Sequence, residues 1–284
     1  MPDSVHVILL QQLKIVKGKS TPLLIVSTDT NSSGFRPAAM SQQTIPRSKN
    51  RILASLPAEE YERLLPQLKS VILDYKQVLY DPHKTLRYAF FPEDSIISMV
   101  SRVVDKAVVE VGLAGREEMV CVATFLGANS TPHQGIVQRQ GRAMRIRAHV
   151  LREEFKRGGK LQELLLRHTQ ALLVQIAQTS VCNRLHGLEA RLCRWLLMIH
   201  DRVDGDEFLL TQDIISMMLG AQRTGVTEAA GLLQKRAIIS YSRGRMTILE
   251  RQKLEETVCE CYWIVREEYE RLNGIRPSHS GPRN

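Results

Sequence analysis

No apolar stretch in this 284-residue chain reaches the roughly 18 residues that a membrane-spanning helix needs. No signal-peptide cleavage pattern follows its apolar N-terminal run, Val5 to Val16. Acidic residues are in deficit: 30 Asp and Glu stand against 39 Lys and Arg, a net charge of +9. Such an excess favours a polyanionic partner over a membrane, and nucleic acid is the commonest polyanion. The five cysteines, Cys121, Cys182, Cys193, Cys259 and Cys261, are too few and odd in number for a disulfide framework, which suits a reducing cytoplasm. No nucleophile, base and orienting group occur together, and no metal or phosphate-loop motif is present, so neither an enzyme nor a cofactor is expected. What is there, 43% hydrophobic and 24% charged residues, is the composition of a soluble globular protein of about two domains.

The most informative stretch runs from Leu209 to Glu250. Thr211 is an N-cap for the apolar run Ile214, Ile215, Met217, Met218 and Leu219, and Gly220 ends it with the left-handed backbone of a sharp turn. A second helix reads from about Gln222 to Arg236, with Val226, Ala230, Leu233 and Ala237 on one face. Gln222, Arg223, Thr224, Thr227 and Glu228 lie on the opposite, polar face. Ile239 to Arg243 and Met246 to Leu249, divided by Gly244, read as a hairpin with Ser242, Arg243 and Arg245 near its tip. This is the pattern of a winged helix-turn-helix, whose second helix enters the DNA major groove. From Leu209 to Lys253, seven basic residues against three acidic ones give a local charge of +4.

Elsewhere, residues 1–46 have no clear period and are expected to be a disordered or poorly packed extension, with Met40 a second conceivable start site. Asn50 to Ser55 and Pro57 to Leu65 read as short helices. Short β-rich runs follow at Val71 to Leu73, Gln77 to Tyr80, Arg87 to Phe91, Ile96 to Val103, Ala107 to Leu113, Ile136 to Gln138 and Ala143 to Arg147. Turn signals such as Asp105-Lys106 divide them. That spacing argues for an antiparallel sandwich or barrel of about seven or eight strands, the size of a sensor domain. His149 to Arg157 is a short helix and Leu161 to Arg184 a long one. The long helix carries one stripe with Leu165, Leu172, Ile176 and Thr179 and a second with Leu166, Leu173, Val174 and Val181. One domain core covers one side, so the spare stripe is a candidate dimer seam that a charge at Leu172 is expected to split. Glu189 to Val203 is a helix leading into the DNA-binding unit. Arg251 to Asn273 reads as one amphipathic helix, on which Cys259 and Cys261 would point about 200° apart and could not share an ion. His83, His133, His149, His168 and His186 show no metal spacing. Residues 275–284 are expected to be a disordered tail.

A small β domain, a long helix and a winged helix-turn-helix, in that order, resemble the Crp/Fnr family of bacterial transcription regulators, most specifically from Thr211 to Val226 and on through Leu233 to Ser240. The resemblance implies an α+β fold: a cyclic-nucleotide-binding-like β-roll or jelly-roll sensor over 47–158, a dimerisation helix over 159–186, and a winged helix-turn-helix with a C-terminal helix over 187–274. It implies a cytoplasmic homodimer on a palindromic promoter site, RNA polymerase as a further partner, and a small-molecule effector whose pocket residues would be Gly115, Arg116, Glu117, Glu118, His133 and Gln134. Where the family's cyclic-nucleotide binders carry an Arg-Ser or Arg-Thr pair, this chain has Pro132-His133-Gln134-Gly135. Without the bidentate arginine, cyclic AMP binding is not expected. The family's iron–sulfur sensors use cysteines near the N-terminus, and none precedes Cys121 here.

Two other readings stay open at the level of sequence. One is a ligand-binding module whose C-terminal unit contacts protein rather than DNA. The other is a β-barrel hydrolase or ligase, for which only Asp105, Glu110, Glu117, Glu118 and His133 offer themselves.

Overall fold

The computed structural model describes residues 47–102 and 108–274; the expected N-terminal extension, the C-terminal tail and the Asp105-Lys106 turn lie outside them. Asn50 caps α1 (Arg51–Ala54) by accepting from the Leu53 N–H, and its amide donates to the carbonyls of Pro92 and Glu118 at 2.8 Å each. One buried side chain thus ties the first helix to two later segments. The second helix, α2 (Ala58–Leu64), starts after Pro57 and runs into a 3-10 turn that contains Pro66.

Seven strands follow: β1 (Lys69–Leu73), β2 (Val78–Tyr80), β3 (Tyr88–Pro92), β4 (Ile96–Arg102), β5 (Val108–Ala114), β6 (Gln134–Arg139) and β7 (Gly141–Arg147). All their pairings are antiparallel, in a three-stranded sheet ordered β1-β7-β3 and a four-stranded sheet ordered β2-β6-β4-β5. Ile97, Ala114 and Val137 of the larger sheet pack inward with Phe91, Ala143 and Ile146 of the smaller one. The other face of the larger sheet, through Ile96, Val100 and Leu113, belongs to a second core built with the C-terminal helices. A strand covered on both faces is largely apolar, and β4 begins Ile96-Ile97-Ser98-Met99-Val100, all of it buried, with the Ser98 hydroxyl satisfied by donating to Gln138 at 2.7 Å.

After α3 (Ala148–Lys156) and the Gly158-Gly159 break comes α4 (Lys160–Leu185). Its first N–H groups, on Lys160 and Leu161, donate to the Glu60 carboxylate at 2.8 Å each, an anion placed where the helix dipole favours one. Leu161, Leu165, His168, Leu172 and Gln175 face the β sheets; Gln175 clasps the backbone of Leu113, accepting from its N–H at 2.7 Å. Leu172, 4% exposed, is therefore core of its own chain, whereas Leu173 is 57% exposed and shares an open face with Leu166 and Val181. The seam expected from the sequence is the exposed stripe, and Leu172 is not part of it.

The C-terminal unit comprises α5 (Leu188–His200), β8 (Glu207–Leu209), α6 (Gln212–Leu219), α7 (Arg223–Lys235), β9 (Ile239–Ser242) and β10 (Arg245–Ile248), then α8 (Arg251–Thr257) and α9 (Glu260–Asn273). Three expectations need correction. The hairpin gains a third strand, because β8 pairs with β10 on the side away from β9. Ala237 is outside α7, exposed at φ +53°, and Ile238 takes the buried place next to Leu233. The helix expected over Arg251 to Asn273 breaks at Val258 and Cys259, both extended (ψ 152° and 160°), with Cys259 in the N-cap position of α9.

Candidate nucleic-acid interface

The helix pair forms as its residues dictate. The Thr211 hydroxyl accepts from the Ile214 N–H at 3.3 Å, and Ile214, Ile215, Met218 and Leu219 are buried against α5 and α7. Gly220 ends α6 at φ +57°, and a Cβ there would lie 3.0 Å from Val109 of β5, so both backbone angle and space call for glycine. Arg191 of α5 donates to the Leu219 carbonyl and closes the end of α6. Val226, Ala229, Ala230 and Leu233 bury one face of α7.

That burial leaves Gln222, Arg223, Thr224, Thr227 and Glu228 exposed together over the first turns of α7, where orphan N–H groups and the dipole favour phosphate. Arg223 is held at the mouth of the turn, 3.2 Å from the Gln212 amide oxygen and 3.1 Å from the Asp213 carboxylate. Both pairings are exposed and worth about 0–1 kcal/mol, so the guanidinium is easily released to another acceptor. The wing stands beside it. Gln234 of α7 donates to the Tyr241 carbonyl at 3.2 Å. Ser242, Arg243 and Arg245 are exposed, and the two-residue turn places Arg243 at φ +51° and Gly244 at φ +75°, the backbone a tight hairpin demands. Arg245 pairs with Glu207 of β8.

The sequence candidates in the β domain are not gathered into one place. Gly115 to Glu118 follow the end of β5 opposite Ile97, whereas Gln134 pairs across from Val100, farther along the same sheet. Gln134 donates to Asp81 at 2.7 Å and accepts from Arg102 at 3.1 Å, and neighbouring His133 is half-buried, its imidazole held below the usual histidine range by burial. The Glu118 carboxylate accepts from the Gly115 N–H at 2.5 Å and is gripped by the guanidinium of Arg202, just beyond α5. Both partners are buried, and Arg202 also donates to the Met198 carbonyl at 2.7 Å. Arg116 reaches Asp204 at 2.7 Å; Glu117, buried, has Arg51 at 3.6 Å and Arg116 at 3.9 Å. Glu118 through Arg202, and Arg116 through Asp204, dock the C-terminal unit onto the sheet, with Gly115 packed against Arg202. Sequence reasoning missed Arg202, because an isolated arginine after a helix carries no sign of a buried partner 84 residues away.

Residues 190–257 match the family model of the Crp-like helix-turn-helix domain. The C-terminal unit is thus a Crp-like helix-turn-helix domain. The chain's fold is similar to that of FixK2 from Bradyrhizobium japonicum, at 12% identity and a TM-score of 0.57, covering 68% of this chain and 98% of that one. It is similar to the c-di-GMP responsive global regulator CLP of Xanthomonas campestris, at 12% identity and a TM-score of 0.56, over 68% and 99%. A CRP-family transcriptional regulator from Thermus thermophilus matches at 12% identity and a TM-score of 0.55, over 74% and 100%. No curated protein sequence matches the chain. No helix among the described residues is long and apolar enough to cross a membrane.

Two carboxyls buried beside the C-terminal unit are expected to make stability depend on pH. Glu110 of β5 accepts from the Trp195 indole N–H of α5 at 2.9 Å, and burial pushes its carboxyl up to about 7. Burial and the Glu118 charge do the same to Glu117, also to about 7. In the folded chain both groups keep protons that the unfolded chain gives up near pH 4.5, so their contribution is complete below that pH and is lost as pH rises through about 7. Denaturant titrations between pH 5 and 8 are expected to show stability falling by up to about 1.4 kcal/mol per pH unit for each group. Glu110→Gln is expected to flatten that slope; an unchanged slope would mean the carboxylate is solvated.

Proposed function

We propose that this protein is a sequence-specific, homodimeric regulator that reads a palindromic DNA site in the cytoplasm. The reading rests above all on the exposed polar surface at the start of α7, flanked by the arginine-tipped wing, on a face that packing leaves open. In this reading Arg223 meets a guanine edge, Glu228 a cytosine amine, Gln222, Thr224 and Thr227 the adjoining edges and phosphates, and Ser242, Arg243 and Arg245 the backbone across the groove. Arg223→Ala should cost about 1–3 kcal/mol of site binding and relax base preference. Arg243→Ala should weaken binding to every sequence alike and flatten its salt dependence. Gel shifts on sites selected from a random pool, across a salt series, test both; base-specific loss from Arg243→Ala would reverse the assignment.

The division of labour is a sensing β domain over 47–158, a dimerisation helix over 159–186 and a DNA-binding unit over 187–274. For the dimer, α4 offers Leu166, Leu173 and Val181 as an exposed apolar stripe. Two copies joined there would place their α7 helices in successive major grooves, about 34–36 Å apart. Leu173→Glu is expected to yield monomers that lose specific binding, since each carboxylate would be buried unpaired at the seam. A native-affinity dimer from this variant, by sedimentation and gel shift, would move the seam elsewhere.

Cyclic AMP is not the effector in this reading. The Glu118 carboxylate is committed to Arg202, and the Gln134 amide to Asp81 and Arg102. Calorimetry with cyclic AMP or cyclic GMP at micromolar protein is expected to be silent, and a saturable heat would show that another basic group meets the phosphate. Contact with RNA polymerase is a further expectation of the family reading.

A further inference from the structure

Four potential metal ligands converge where α4 hands over to α5. Cys182 and His186 are one turn apart at the end of α4, with His186 as its C-cap. Cys259 and Cys261 face them from the start of α9. The break at Val258 lets both thiols turn inward, as a continuous helix could not. The three thiols and the imidazole nitrogen lie within 4.8 Å of one another. The Cys182 and Cys259 sulfurs are 3.5 Å apart, as are the Cys261 sulfur and the His186 Nδ1. All three cysteines are buried, and His186 is half-buried.

We propose that Cys182, His186, Cys259 and Cys261 form a structural site for one thiophilic divalent ion, best matched by zinc. A tetrahedral zinc with bonds of about 2.3 Å to sulfur and 2.0–2.1 Å to nitrogen holds its ligand atoms roughly 3.5–3.8 Å apart. The cluster needs to contract by no more than about an ångström to meet that spacing, a movement side-chain torsions can supply. An iron–sulfur cluster holds its thiolates around several metal atoms and needs a wider cage. A disulfide would use two of the three sulfurs and leave a thiol and an imidazole facing it. Three thiolates and an imidazole also make a closed set with no position for water, which is the composition of a structural rather than a catalytic zinc.

The surroundings fit a ligand set of this kind. The second ring nitrogen of His186 lies 3.3 Å from the Glu260 carboxylate, the partner that orients a metal-bound imidazole through its Nδ1. The Gln178 amide donates to the Cys261 sulfur at 3.1 Å, which suits a thiolate. Arg191 and Arg194 of α5 are close enough to Cys182 to act on its charge, offsetting the net negative charge of three thiolates on a divalent ion. Binding would release the three thiol protons to solvent. It would tie the end of α4, the Gly187 junction and the start of α9 to one another, fixing the angle at which the DNA-binding unit leaves the long helix.

The test uses the full-length, untagged chain, purified under reducing conditions, and does not depend on DNA binding. Elemental analysis is expected to give about one zinc per chain after zinc reconstitution and dialysis. Cobalt substitution is expected to produce thiolate-to-cobalt charge-transfer absorption with the intense visible bands of a tetrahedral ion. Cys261→Ser should lower retained zinc at least about tenfold, and His186→Gln should shift the cobalt bands in a protein whose four-ligand set has lost its nitrogen. Failure of the wild-type chain to retain zinc or cobalt would overturn the site. So would iron with acid-labile sulfide in place of zinc, or zinc content and cobalt spectra unchanged in both variants.

Discussion

The arrangement of this molecule depends on one buried ion pair, Glu118 with Arg202. Two charges taken out of water lose several kcal/mol of solvation each, and their attraction repays this only when every donor and acceptor is used. Here the geometry meets that condition. Glu118 also accepts from the Gly115 N–H, and Arg202 also donates to the Met198 carbonyl and lies over the Tyr269 ring, 5.8 Å from its centroid. Gly115 is fixed by the same contact, since a Cβ there would stand 2.8 Å from the Arg202 stem. A pair this demanding holds in one arrangement and fails in others, so it sets the docking of the C-terminal unit on the sheet more sharply than apolar contact alone could.

Apolar burial supplies the bulk of the attraction that the ion pair aims. The outer face of the four-stranded sheet gives Ile96, Val100 and Leu113 to a core shared with Trp195, Leu196, Ile215 and Met218. Burying side chains of this kind contributes about 1.5–3 kcal/mol each, with little preference for orientation. The Glu110 contact to Trp195 and the Gln175 clasp on Leu113 add direction to it. The two effects divide the work: hydrophobic area holds the halves together, and a few buried polar groups choose the angle.

Local signals in the sequence were sufficient wherever the structure is local. Thr211, Gly220 and the spacing of Val226, Ala230 and Leu233 describe the helix pair almost to the residue, because caps and helical faces are settled within a turn or two. The seven β-rich runs likewise mark the seven strands among the described residues of the β domain. What escaped was decided across long sequence separations. Strand β8 exists because β10 offers it an edge, and nothing in Glu207-Phe208-Leu209 alone announces a strand. The break at Val258 carries no glycine or proline; Cys259 takes an N-cap position that serine, threonine or aspartate would have signalled. Leu172 and Leu173 are alike in sequence, and only the position of β5 decides which is core and which is surface.

The face proposed to read DNA follows from the same economy. Docking places the turn after α6 against Val109 of β5, yet the start of α7 points away from that contact and keeps its five polar side chains exposed. Arg223 and Arg245 rest on exposed carboxylates of their own unit, Asp213 and Glu207. Such pairs are weak in water and hold long side chains in a narrow range of positions. They therefore reduce the ordering cost of meeting a nucleic acid while giving up little when a phosphate or a guanine replaces the carboxylate. Arg243 differs: among the described residues it has no ion-pair partner, and the hairpin turn alone fixes its backbone at positive φ. A charge held forward by its own backbone gains most from a polyanion and discriminates least among sequences, which is the character of a phosphate contact rather than a base contact.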